Sequence, residues 1–305
     1  MALSVLKDIR KIYSGLNADG IRAEAEKNVN VGLLASDPEN YRRMEQFLAP
    51  PAVDLSEQAR ALRAIRPVHG APSQFDFILC EPGVPVPRNG FTFESDDTGS
   101  LVRLILNENQ DTEVALARTF PLFRPEVASR IIGRTSRENA LFSIVTALPD
   151  VIPNLLELPW VIGEFATDTA FLTMNQTRMA LLLAAAHGRP VGYSAQKLEI
   201  AGIVASAFGW RAIARELVGK IPFGGGLIPK AAVAFAGTYV MGLGLEKINR
   251  TGSGLTKQER RDAYAEAFAK GRDAVRELTP GSAHGSAHGS AHGSAQVHEE
   301  RLSAD

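Results

Sequence analysis

Residues 221–245, IPFGGGLIPKAAVAFAGTYVMGLGL, restrict the possible folds more than any other stretch of this chain. Three consecutive glycines, two prolines and Lys230 come first, and no charged residue follows until Glu246. A phosphate loop is the poorest fit. GGGLIPK lacks the glycine beside the lysine, and Pro229 removes a backbone donor where donors are needed. A membrane span takes ~20 mostly apolar residues. This run reaches that length only by extending back through Lys230, Pro229, the glycines and Pro222. Its small residues, Ala232, Ala236, Gly237 and Gly244, suit close helix–helix approach in lipid or in a bundle. The neighbouring apolar runs carry Glu164, Asp168, Arg178, Glu199, Arg211, Arg215 and Glu216, which are costly in hydrocarbon unless paired. The expectation is therefore a compact helical domain, with Gly224, Gly225 and Gly226 as a glycine-rich turn. A membrane-inserted helical hairpin over 221–245 is the alternative.

The helical domain is expected to span 146–278. A long apolar helix closes in His187-Gly188-Arg189-Pro190, glycine just past the end and proline after it. Ser194 can cap the next helix, which stops at Pro222. Thr256 and Glu259 have the spacing of a capping box and open a last helix to about Leu278. Upstream, Thr135 and Glu138 have the same spacing and predict a helix start there. Residues 279–305 repeat GSAH without a large apolar side chain, which predicts a disordered tail. His284, His288 and His292 recur every fourth residue, but Gly and Ser at this density oppose the helix that would align them on a metal.

The N-terminal part reads differently. Residues 1–29 contain a helix with Leu3, Leu6, Ile9, Tyr13 and Leu16 on one face. Residues 30–145 read as a reduced α/β domain. NVNVGLLAS (28–36) and FDFILCEPG (75–83) are buried strands, Asp37-Pro38-Glu39 and Asp54 start helices, and SDDTGSLVRLIL opens another. A strand, a helix and a strand ending in Glu81-Pro82-Gly83 form the skeleton of a nucleotide-binding domain. The chemistry is missing. The loop after the first strand, ASDPENYRR, has neither glycine nor lysine and places a carboxylate where phosphate would sit. NENQD (107–111) resembles a guanine-reading signature without its lysine. The formal charge of -1 creates no field that recruits nucleic acid, and the single cysteine, Cys80, excludes an internal disulfide and fits a reducing compartment.

One polar constellation stands out. Glu164, Asp168, Asn175 and Arg178 share a face of the long helix, with Gln176 beside them. Arg211 and Arg215 form a basic pair on the next helix, and Lys230 begins the third. Two readings follow: a polar network that sets helix register, or a cleft for an anionic headgroup or peptide. There is no G-x-S-x-G and no H-E-x-x-H, and Cys80 is remote in sequence from His69 and His187. No catalytic residue, cofactor or metal is expected.

GEFATDTAFLTMNQTRMALLLAAAHGRPVG and AFGWRAIARELVGKIPFGGGLIPKAAVAFAGTYVMGLGLEK resemble a bacterial helical domain of unknown function. That domain commonly follows Era-like or dynamin-like GTPase domains and also occurs in predicted inner-membrane proteins. The likeness covers about 145–250 and rests on N-Q, G-W-R, IP-G-G before K, and A-G-T-Y. It implies that 30–145 is a degenerate GTPase-like domain, and it transfers no activity. The expected architecture is thus α/β plus all-α: a reduced α/β domain, a helical bundle-like domain and a disordered tail. The expected function is a non-enzymatic interaction or scaffold protein in the cytoplasm, meeting a protein partner or the inner face of the membrane and not nucleic acid. The alternatives are a GTPase-like nucleotide switch and an integral membrane protein.

Overall fold

The computed structural model describes residues 16–51, 54–94, 96–145, 168–192, 195–200, 202–203 and 227–278. The expected helix over the first fifteen positions, the helix beyond residue 203, the Gly224–Gly226 turn and the GSAH tail lie outside the described residues.

The α/β part is built on a four-stranded parallel sheet. Its strands are β1 (Val31–Leu34), β2 (Ile65–Pro67), β3 (Phe77–Cys80) and β4 (Gly90–Thr92), in the order β2-β1-β3-β4. Val31 stands opposite Ile65 on one side and Phe77 on the other. Every residue of β3 is buried, as an apolar run covered on both faces should be. β2 and β4 were not foreseen; with three residues each, they are too short to show a period.

The helices of this part are α1 (Ala18–Ala25), α2 (Pro38–Leu48), α3 (Leu55–Ala64), α4 (Thr98–Glu108) and α5 (Glu113–Thr119). The starts of α2 and α3 follow the expected chemistry. The Asp37 carboxylate accepts from the Glu39 N–H at 3.0 Å with Pro38 in the first turn, and Asp54 accepts from Ser56 N–H at 2.8 Å. Glu57, three residues after Asp54, pairs with Arg124 at 2.6 and 3.2 Å.

Four long helices follow among the described residues, α6 (Arg124–Val145), α7 (Asp168–Ala186), α8 (Leu227–Thr251) and α9 (Lys257–Leu278), and residues 195–200 and 202–203 are helical as well. The expected start at Thr135 is corrected, because Thr135 lies in the middle of α6. Val127, Ile131 and Ile132 continue the buried face upstream, so the helix runs through, and the Thr135 hydroxyl donates to the Ile131 carbonyl at 2.9 Å. The expected stop of α7 forms as read. The Arg189 N–H reaches the Ala184 carbonyl, the Gly188 N–H reaches that of Ala185, and Gly188 takes φ +75°.

One apolar core joins the two parts. It runs from Val31, Leu33 and Leu79 through Phe120 and Phe123 to Leu181 and Leu183 of α7 and Leu245 of α8. α8 packs against α6, α7 and α9. A Cβ on Gly242 would stand 2.7 Å from an Ile132 side-chain carbon and 3.1 Å from the Met179 sulfur, so glycine sets that close approach. Residues Lys230–Thr251 are long and apolar enough to cross a membrane, and half of that apolar window is buried within the protein.

Candidate functional site

Ligands of open parallel sheets bind outside the carboxyl ends of the strands, where the chain order reverses. Here that point lies between β1 and β3, since β2 pairs with β1 on its far side. The crevice brings together Ser36 after β1, the first turn of α2, and Glu81 after β3. A helix N-terminus at this place favours an anion, because its first N–H groups lack partners and the helix dipole is positive there.

The anion present is the chain's own. The Ser36 hydroxyl donates to Glu81 Oε1. Asn40 Nδ2 donates to Oε2 at 3.2 Å, and the Asp37 N–H approaches Oε2 at 3.4 Å. Glu81 is buried, with 6% of its surface exposed. These donors, the Ser36 hydroxyl foremost, hold its carboxyl below the ordinary glutamate range against the opposing effect of burial. Ser36 and Asn40 were not singled out from the sequence. The available signal was an acid directly after a four-residue apolar strand, facing a Ser-Asp turn.

The second polar site is in the helices. Asn175 Nδ2 donates to Asn139 Oδ1 at 2.9 Å and to Glu138 Oε2 at 3.0 Å. Asn139 Nδ2 and Gln176 Nε2 both donate to the Thr238 hydroxyl, at 2.8 and 3.2 Å. Asn139, Asn175, Gln176 and Thr238 are all buried, and the cluster ties α6, α7 and α8 together. Two of the expected site residues, Asn175 and Gln176, thus meet. Asn139 and Thr238 were missed; each is a polar residue within an apolar helical stripe.

Arg178 is exposed and, with Asn175, lines a cavity of about 500 Å³ against α1. Lys230 is exposed near the start of α8. Asp168 begins α7, and its side chain lies outside the described residues, as do Glu164, Arg211, Arg215, Gly224, Gly225 and Gly226.

Among the described residues no three His, Cys, Asp or Glu side chains are grouped to hold a metal ion. Cys80 is buried in β3, and burial pushes its thiol up, away from the reactive thiolate. His187 Nε2 is buried without a hydrogen-bond partner among the described residues, and burial, reinforced by Arg124, lowers the imidazole pKa.

The chain was compared with protein-family models, with curated proteins and with solved structures, and none of them matches it.

Proposed function

We propose that this chain is a non-enzymatic interaction module. In this reading residues 30–145 are a degenerate, GTPase-like α/β domain, and the helices that follow are the part that meets a protein partner or the inner face of the cytoplasmic membrane. The observation behind it is the occupancy of the crevice between β1 and β3. Glu81 uses the Ser36 hydroxyl, the Asn40 side-chain amide and the Asp37 N–H at the N-cap of α2, the groups that would otherwise face a phosphate. A nucleotide seated there would bring its phosphates against a buried carboxylate held in its charged form.

Two alternatives have less support. A nucleotide switch would need a cation beside the phosphate, and the turn 35–40 supplies none. A membrane hairpin over 221–245 would place α8 in lipid, whereas α8 packs against α6, α7 and α9.

Calorimetry with GTP, GDP and ATP in the presence of Mg²⁺ tests the reading. No saturable heat is expected at high protein concentration, and saturable binding of any of the three would overturn it. Fractionation tests the location: the protein should leave membranes in a high-salt wash without detergent.

A further inference from the structure

A groove beside α8 shares no residue with the Glu81 crevice, and its reading goes beyond the proposed function. The C-terminal half of α8, the turn into α9, and residues 195–200 and 202–203 line an open groove of about 630 Å³. Small-molecule pockets fall in roughly the 300–1,000 Å³ range. Met241, Leu245, Ile248, Ile203, Leu198 and Leu255 supply its apolar wall. Gly244, Gly252 and Gly254 leave room beside them. Leu198 is 79% exposed, a large apolar side chain held out at the edge of the groove.

The charged residues around it are mostly of one sign. Arg189, Lys197, Glu199 and Arg260 line the groove. Glu199 is neutralised by Arg189 at 2.9 Å, and Arg189 also donates to Asn249 at 2.7 Å. Arg260 donates to the Leu255 carbonyl at 3.3 Å. Lys197 and Arg260 have no carboxylate partner among the described residues, which leaves two cations beside an apolar trough.

From this combination we propose that the groove binds a single-chain anionic amphiphile: an acyl chain along α8, with its carboxylate or phosphate head between Lys197 and Arg260. A trough of this volume suits one chain, and its charge selects an anionic head over a cationic one.

The test uses the full chain and monomeric ligands below their micelle concentration. Calorimetry should show saturable binding of dodecanoate at one per chain. Shortening the ligand to decanoate and octanoate should weaken binding by about two- to fourfold per methylene removed. Dodecyltrimethylammonium should bind more weakly than dodecanoate. The double variant Lys197→Glu, Arg260→Glu should weaken dodecanoate by about tenfold, since two exposed attractions become repulsions. Leu198→Asp should weaken it as well. All three positions are exposed, so these variants retain the fold, and far-ultraviolet circular dichroism checks that they do. The proposal fails if dodecanoate does not saturate, if affinity is independent of chain length, or if the double variant binds equally well. It fails also if the protein sediments with phosphatidylglycerol vesicles yet ignores monomeric dodecanoate, which assigns the groove to a membrane surface. A concentration-dependent dimer abolished by Leu198→Asp assigns it to a second copy and overturns the proposal too.

Discussion

The hydroxyl of Thr238 accepts from two buried amides on two different helices, Asn139 on α6 and Gln176 on α7. Thr238→Val keeps the shape and leaves both amides without that acceptor. Each buried donor so stranded costs about 1–3 kcal/mol. Thr238→Ser keeps the hydroxyl and removes one methyl group, a loss of about 1 kcal/mol. Urea denaturation should therefore rank valine as the more damaging change; the reverse order would deny the hydroxyl its role. Glu81 makes its prediction through pH. Its carboxyl titrates lower in the folded protein than the ordinary value of about 4.3. The unfolded chain then binds the proton first as pH falls, so the stability from the charged form is full above that value and is lost as pH drops through the folded value. Glu81→Gln should be less stable than the parent at pH 7, and the gap should close in acid. A gap that does not change with pH would mean that the charge contributes nothing.

At the scale of the element, the places where backbone chemistry is local were the legible ones. The box at Thr256 forms as read: the Thr256 N–H donates to Glu259 Oε2 at 2.7 Å and the Glu259 N–H to the Thr256 hydroxyl at 3.2 Å. Lys247 adds to it and, with those donors, holds the Glu259 carboxyl down to about 2. The same spacing at Thr135 misled, because nothing within four residues reveals that the helix has already begun at Arg124. Partners distant in sequence were invisible for the same reason: Asn175 gave no sign that Asn139 would meet it. Gly188 and Gly242 show the two kinds of demand a glycine meets here. Gly188→Ala should cost about 1–2 kcal/mol, because φ +75° is left-handed backbone. Gly242→Ala gains up to about 1 kcal/mol of helix propensity and meets Ile132 at 2.7 Å, an overpacking of about 1–3 kcal/mol. Thermal melts should show both variants destabilised, and a Gly242→Ala protein more stable than the parent would mean that Ile132 yields freely.

For the whole molecule the coarse plan, α/β followed by helices, was readable because strand runs and helix runs have different periods. The sharing of a core was not, since Leu33 and Leu181 lie far apart in the chain. A shared core makes the two parts fold together. Leu181→Ala should cost about 2–5 kcal/mol and lower amide protection in β1 and β3 along with that in α8. Loss confined to the helices would separate the two parts. The crevice at β1 and β3 has a consequence of its own at this scale. Its carboxylate is tethered, so any free phosphate competes with a group at an effective concentration in the millimolar range or above. Raising the phosphate supply outside the protein does little against an occupant that cannot diffuse away.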